Sequence, residues 1–328
     1  MATTERRPTF AASGQVCTRT VLGALQLLLL VVTAHAAKIP NQAAAARHVT
    51  AAARHVTAST ELCSALEGMF PARSADSKQL RWVIRQLGLQ KKTNGTYPSR
   101  EELFRTLYHD SKSPYVGLQP APAFVQGSGR RLGSASKARV ALEANIRAAL
   151  GRSPHFVVEV GSFLGVGASK AWGPMVAQSQ GLVLCVDTWQ GDVPMRLGPN
   201  FRSFIQLKHG FSELGRTFMS NMLQAGMENT VFPLSMPSLT AARLLAVLQW
   251  KIDVVSVDSS HEQGETLIEL FMYWQLLRPG GVLTGDDWLE FPAVKHDVSL
   301  FARCVNQSLH LLKDDDSERI NTWMLVKK

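Results

Sequence analysis

From residue 155 to the end of the chain, short apolar runs alternate with longer segments whose apolar residues recur at helical spacing. The runs are His155 to Val160, Gly181 to Val186, Val231-Phe232, Ile252 to Val257, Gly281 to Thr284 and Asn321 to Val326. Strands and helices that alternate at this length favour a parallel, doubly wound sheet. We therefore predict an α/β fold with a mostly parallel sheet and helices on both faces.

The first apolar run leads into a glycine-rich turn at residues 161–167, where a helix is expected to begin. Glycine lets the backbone turn sharply and approach a ligand closely. The spacing is Gly-x-x-x-Gly-x-Gly, whereas dinucleotide-binding enzymes use Gly-x-Gly-x-x-Gly. The turn is therefore a candidate cofactor loop, and its spacing disfavours an NAD enzyme.

An acidic residue, Asp187, ends the second apolar run, roughly 20 to 30 residues after the glycine turn. An acid at this point is placed to accept the ribose hydroxyls of a bound nucleoside, and the alternative is an exposed aspartate at a strand end. Trp189 follows closely and either flanks an adenine ring or caps the core.

Two later strands also end in acids, Asp258 after one and Asp286 and Asp287 after the next. Neighbouring parallel strands bring their carboxyl ends to one edge of the sheet, so we expect these three carboxylates to converge. Such a cluster favours Mg²⁺ or another hard divalent cation. His261 stands three residues beyond Asp258 and is either a general base or an exposed loop histidine.

Together these motifs resemble the class I S-adenosylmethionine-dependent methyltransferases of the methyltransferase 24 family. They are similar, more distantly, to Mg²⁺-dependent sugar and macrolide O-methyltransferases. The resemblance covers roughly residues 134–328 and rests on Glu159-x-Gly161, Val186 to Asp192, Asp258-x-x-His261 and Leu277 to Asp287. Four ordered motifs at suitable spacing are more specific than any one of them.

This resemblance implies a seven-stranded Rossmann-like sheet that binds S-adenosylmethionine across the ends of its first and fourth strands. It implies that the methionine side is lined by Glu159, Gly161, Ser162 and Gly165, that Asp187 holds the ribose, and that Trp189 and Ser235 lie near the adenine. Asp258 is expected to border the cofactor and, with Asp286 and Asp287, to correspond to the metal ligands. His261 becomes the candidate general base. Ser260 replaces a second acid that is common in the metal-dependent relatives, and the aromatic residue common after the histidine is missing, with Gln263 nearby.

The predicted activity is transfer of a methyl group to a hydroxyl oxygen of a small molecule or sugar. Phenolic and lipid hydroxyls are also open as acceptors. One alternative is an NAD-type oxidoreductase on the same sheet, which does not explain Asp286 and Asp287. Another is a relative that binds the cofactor without catalysis. No nucleic-acid partner is expected: the whole chain has a formal net charge of +9, but the basic excess lies upstream, and residues 153–328 carry 14 basic and 18 acidic residues.

The first 36 residues have the order of a secretory signal peptide: arginines, then the apolar run Val21 to Thr33, then Ala34-His35-Ala36. The segment 21–37 is alternatively an uncleaved membrane anchor, and a plastid transit peptide is a third option. The sequons at Asn94 and Asn306 are compatible with secretion.

Between leader and sheet, a tandem heptapeptide repeat marks residues 37–60 as a linker, since it has too few bulky apolar residues for a core. We interpret residues 61–126 as a small helical accessory region, and residues 127–328 as the methyltransferase domain, with the glycines of 127–133 at the boundary. The four cysteines have no regular spacing, which predicts neither a disulfide framework nor a zinc site.

Overall fold

The computed structural model describes residues 61, 63–65, 68, 95–109, 112–123, 125, 137–198, 204–259, 261–313 and 320–328. The predicted leader, the repeat linker and the boundary glycines 127–133 lie outside the described residues. Residues 58–328 form a compact unit. Within the described ranges, no helix is long and apolar enough to cross a membrane.

A seven-stranded sheet runs through the centre of this unit in the order β5-β2-β1-β6-β7-β9-β8. Its strands are β1 (Phe156–Val160), β2 (Leu182–Asp187), β5 (Val231–Ser235), β6 (Ile252–Val257), β7 (Leu277–Gly285), β8 (His310–Lys313) and β9 (Ile320–Val326). The first five in chain order are mutually parallel, and β9 runs antiparallel to both of its neighbours. A separate hairpin joins β3 (Leu207–Lys208) to β4 (Phe211–Ser212). The predicted α/β fold with a mostly parallel sheet is confirmed.

Helices connect the strands in the alternating pattern that the sequence predicted. They are α1 (Arg100–Leu103), α2 (Lys137–Leu150), α3 (Gly173–Ala177), α4 (Val193–Leu197), α5 (Leu214–Gln224), α6 (Ser238–Leu248), α7 (Glu265–Leu276) and α8 (Pro292–Cys304). Two turns of π-helix, Phe104–Tyr108 and Ala168–Trp172, follow α1 and precede α3.

The central strands are buried along their whole length, which explains why their sequences are continuously apolar. Every residue of β1 and β6 is buried, as are the first five of β2. A parallel strand covered by helices on both faces has no solvent side on which polar residues could alternate. The strand order reverses between β1 and β6, and such a switch point opens a crevice at the carboxyl ends of the strands.

At the opposite, amino end of β6, the buried Asp253 organises an ionic network. Its carboxylate accepts hydrogen bonds from Arg278 Nε at 2.5 Å and Arg152 Nη2 at 2.9 Å. It also accepts from the Tyr97 hydroxyl at 2.8 Å and from the His155 backbone at 2.7 Å. The network thereby ties the chain before α1 to β1, β6 and β7.

The described part of the predicted accessory region packs along the sheet edge formed by β5. The Tyr108 hydroxyl donates to the carbonyl of Pro233 at 2.8 Å, and the Tyr115 hydroxyl donates to that of Val231 at 2.7 Å. Pro233 cannot donate a ladder hydrogen bond, which suits an edge strand. The two tyrosines therefore satisfy carbonyls that an exposed edge would leave free.

A disulfide joins Cys63 to Cys304 at the end of α8, with their Cα atoms 5.4 Å apart. The prediction that the cysteines encode no disulfide is therefore wrong for this pair. The two residues are 241 positions apart, so their spacing carries no signal. Cys185 is a free thiol buried in β2.

Candidate active site

The turn after β1 lies against the turn after β6 at the switch point of the sheet. Gly161 has φ +87°, and a Cβ there would overlap the backbone carbonyl of Asp258. The Asp258 amide donates to Val160 O at 2.8 Å, and the Gly161 amide donates to Val186 O at 2.9 Å. Glycine at position 161 is thus required both by its φ and by this contact.

Beneath the glycine turn, β1 buries the Glu159 carboxyl group. Its Oε2 accepts from the Cys185 thiol at 3.4 Å, and a Cβ on Gly167 would collide with its Oε1. Burial raises the pKa of Glu159 to about 7. The buried Ser162 hydroxyl lies beside this carboxyl group and lowers its pKa against the effect of burial.

Asp187 stands at the carboxyl end of β2 and organises the same turn. Its Oδ2 accepts from the Phe163 amide at 2.8 Å and its Oδ1 from the Trp189 amide at 2.7 Å. Burial raises its pKa, against the lowering effect of these backbone hydrogen bonds. The Ser162 and Thr188 amides also face this carboxylate and lower its pKa, so backbone donors hold it at the end of β2 beside the glycine turn. Ser235 pairs with Asp187 across the β2–β5 ladder and is exposed at the same edge.

Trp189 takes the second of the two roles that the sequence left open. It is 4% exposed, its ring centroid lies 4.9 Å from that of Phe218, and its indole nitrogen donates to Phe163 O at 2.9 Å. The indole caps the core in this structure. The Trp189 backbone is left-handed, with φ +51°.

Across the switch point, Asp258, His261 and Asp287 place ligand atoms within 4.8 Å of one another. His261 Nε2 is 2.9 Å from Asp287 Oδ2 and 4.0 Å from Asp258 Oδ1. The predicted ligands were Asp258, Asp286 and Asp287, with His261 as a base, whereas the atoms that converge here come from Asp258, His261 and Asp287. Asp286 lines the same pocket, but its Oδ1 accepts from the Thr322 hydroxyl at 3.4 Å. Asp287 has a left-handed backbone, with φ +65°. Asp286 and Asp287 therefore do not have the extended geometry of two successive strand residues.

The acids and the histidine perturb one another's proton affinities. Burial alone would lower the pKa of His261, but the carboxylates of Asp258 and Asp287 outweigh it and raise the pKa to about 10. Desolvation, reinforced by the charges of Asp258 and Asp287, raises the pKa of Asp286 to about 7. The imidazole is thus cationic at neutral pH in this arrangement and accepts a proton only when its carboxylate partners are otherwise neutralised.

His261 has an aromatic partner from a distant part of the sequence. The Phe291 ring, at the start of α8, stacks on the imidazole with centroids 4.1 Å apart and planes inclined by 17°. Phe291 thus gives His261 an aromatic contact, although the residues directly after the histidine include no aromatic one. Sequence proximity could not reveal it, because Phe291 lies 30 positions away.

Two buried carboxylates hold the loop that carries His261. Asp297 of α8 accepts from the Gly264 amide at 2.7 Å and the Leu267 amide at 3.1 Å, thereby capping the first turn of α7. Glu269 accepts from the Ser259 hydroxyl at 2.6 Å and from the Ser238 hydroxyl. No sequence motif marks either acid as part of the site. The sequence shows only that each acid occupies an otherwise apolar face of its helix.

Residues 158–288 match the family model Methyltransf_24, a methyltransferase domain. The matched segment contains all four motifs on which the resemblance rests. No curated protein matches the chain.

Among solved structures, the chain is similar to the O-methyltransferase from Bacillus cereus in complex with SAH, at 13% identity and TM-score 0.42, covering 58% of this chain and 80% of that one. It is also similar to the O-methyltransferase TomG from Streptomyces achromogenes, in complex with SAM, at 14% identity and TM-score 0.42, covering 70% of this chain and all 100% of that one.

Proposed function

We propose that this protein transfers the methyl group of S-adenosylmethionine to a hydroxyl oxygen of a small molecule or sugar. The proposal is carried by two groups of residues that meet at one switch point of the sheet. The first is the glycine turn with Asp187, and the second is His261 between two carboxylates. The first group fits a nucleoside cofactor and the second fits an acceptor hydroxyl. The methyltransferase domain match supports the reaction class.

The residues of the first group fit S-adenosylmethionine. Asp187 ends β2 beside the glycine turn as a carboxylate acceptor for ribose hydroxyls, and the buried Ser162 hydroxyl lies next to Gly161 in that turn. Glu159 and Gly165 support this turn from below, and Ser235 borders the adenine side. When bound, the cofactor supplies an electrophilic methyl group on a sulfonium sulfur. The chain's own task is to orient that cofactor and an acceptor oxygen in line.

His261 is the proposed proton acceptor, held between Asp258 and Asp287 and covered by Phe291. Asp258 and Asp287 would hold a divalent cation, with Asp286 at the rim, and such a cation would offset the negative charge that keeps the imidazole protonated. The carboxylate oxygens of the two aspartates suit Mg²⁺ or Mn²⁺.

The activity is tested by incubating the protein with S-adenosylmethionine carrying a labelled methyl group and a panel of sugar, phenolic and lipid alcohols, with Mg²⁺ or with EDTA. We expect transfer to at least one class, and a fall in kcat of about 100-fold or more for His261→Ala with the affinity for S-adenosylhomocysteine unchanged. His310→Ala, which removes an exposed histidine on β8, is the matched control.

The outcomes separate the alternatives. Equal losses of turnover and cofactor affinity in His261→Ala would show that His261 is structural. Cofactor binding without transfer to any acceptor would favour the non-catalytic relative. Binding of a nicotinamide dinucleotide in place of S-adenosylhomocysteine would favour the oxidoreductase.

We also propose that the protein enters the secretory pathway, with segment 21–37 as a cleaved signal or a membrane anchor. The Cys63–Cys304 disulfide supports this route over a reducing compartment. Asn306 is exposed and available for glycosylation. The test is the mobility of the secreted or membrane-bound chain before and after glycosidase, with Asn306→Gln as control. A full-length, unglycosylated chain in the cytosol or a plastid would contradict the proposal.

A further inference from the structure

Asn221 is a fully buried polar side chain on α5, and its amide group forms three hydrogen bonds. Its Oδ1 accepts from the Val125 amide at 2.9 Å, while its Nδ2 donates to the Val125 carbonyl at 3.0 Å. The second proton of Nδ2 goes to Leu164 O at 2.9 Å. The side chain thus pairs with the Val125 backbone as a neighbouring strand would. Its remaining N–H group donates to the glycine turn.

On one side of Asn221, Val125 ends a segment that is anchored to the sheet edge. We define the strap as residues 112–123 together with Val125. The Tyr115 hydroxyl fastens it to Val231 O at 2.7 Å, and the Ala121 amide fastens it to Ser220 O at 3.0 Å. Val125 therefore reaches Asn221 from a chain that is already held by β5 and α5.

On the other side, Leu164 belongs to the turn that carries Gly161 and Ser162. The Gly165 amide donates to Ser162 O at 2.7 Å and so closes the turn around Leu164. A displacement of Leu164 therefore also moves Ser162 and Gly165. A Cβ on Gly165 would strike Met222 and Phe218, both on α5. The turn thus packs on the helix that carries Asn221, and its position is set at that contact.

We infer that Asn221 is a positioning residue through which the strap controls the geometry of the cofactor turn. The inference rests on the proposed function, since that function assigns the turn to S-adenosylmethionine. A turn and a strap that share one amide are energetically coupled, so a ligand that orders the turn also orders the strap, and the effect is reciprocal. The accessory region would then act on cofactor affinity without touching the cofactor.

The experiment breaks the link from the strap side. Val125→Pro removes the amide hydrogen that bonds to Asn221, while Val125→Ala keeps it and serves as the matched control at a side chain that is 37% exposed. Amide hydrogen exchange of residues 161–169 and the Kd of S-adenosylhomocysteine are measured in the full-length protein, well below its Tm. We expect Val125→Pro to speed exchange in the turn and to weaken binding roughly fivefold, with Val125→Ala unchanged.

Equal turn exchange and equal Kd in the two variants would overturn the inference. A purely structural role would lower the Tm of Val125→Pro and leave both readouts of the folded protein unchanged. If the proline variant does not fold, Tyr115→Phe loosens the strap at a distance and must speed exchange in the turn, or the inference fails. If the wild type binds no S-adenosylhomocysteine, the proposed function fails and turn exchange alone decides the coupling.

Discussion

Replacing Asp253 by asparagine tests whether the network at the amino edge of the sheet stabilises the fold. The side chain is fully buried and pairs with two arginines, Arg152 and Arg278, which are 34% and 23% exposed. Asparagine keeps the shape but removes the charge, and it directs an amide donor at groups that are themselves donors. Breaking a buried pair from one side costs about 3–5 kcal/mol of unfolding free energy. For a domain of this size, that corresponds to a Tm lower by roughly 10 °C.

The same substitution has a pH signature. Burial alone would raise the pKa of Asp253, but hydrogen bonds from Arg278 and Arg152 lower it below that of an unfolded aspartate, about 3.9. A group with a lowered folded pKa contributes stability that is complete above its unfolded pKa and is lost as the pH falls through the folded value. The Tm difference between wild type and Asp253→Asn should therefore stay constant from pH 5 to 8 and shrink below about pH 4.

Calorimetric or circular-dichroism melting of both proteins across this pH range is the assay. The control is Glu143→Gln, which removes a carboxylate from the partly exposed pair with Arg147 and should cost less than about 0.5 kcal/mol. A Tm for Asp253→Asn within 2 °C of the control would refute the reasoning, as would a difference that grows on acidification.

Three further substitutions probe the site. Gly161→Ala forces a Cβ against the Asp258 carbonyl at φ +87°, so we expect at least tenfold weaker binding of S-adenosylhomocysteine by calorimetry, and wild-type affinity would show that the turn is not strained. Asp297→Ala leaves the Gly264 and Leu267 amides without an acceptor, so melting should show a free energy of unfolding lower by about 1–3 kcal/mol. We expect kcat to fall while the Kd of the cofactor stays constant, and an unchanged Tm would count against the capping role of Asp297. Phe291→Leu keeps apolar bulk but removes the ring stacked on His261, so kcat should fall at nearly constant Tm, and full activity would exclude a role for the ring.

The sheet was predictable because its central strands are buried on both faces and therefore read as continuous apolar runs. Where that condition lapses, the prediction was incomplete. The predicted run Val231-Phe232 is in fact β5, which continues through Pro233 to Ser235 at the sheet edge. The edge strand β8 was missed because it is short and half exposed, and the hairpin β3–β4 because each of its strands is two residues long.

The candidate site was predictable to the extent that topology alone gathers it. Asp187, Asp258 and Asp287 follow parallel strands, so their meeting at one edge follows from the strand order. What could not be foreseen depends on single backbone angles or on distant helices. A positive φ distinguishes Asp287 from Asp286, while Asn221 and Asp297 act from helices that no motif connects to the site.

Calorimetric titration of the purified protein with S-adenosylhomocysteine, with and without Mg²⁺ and in parallel with a nicotinamide dinucleotide, tests the central claim most directly. We predict micromolar binding of S-adenosylhomocysteine, about −8 kcal/mol, and none of the dinucleotide. Tighter binding with Mg²⁺ would support the cluster of Asp258, His261 and Asp287 as a cation site. Absence of S-adenosylhomocysteine binding under both conditions would contradict the proposal that this switch point holds the methyl donor.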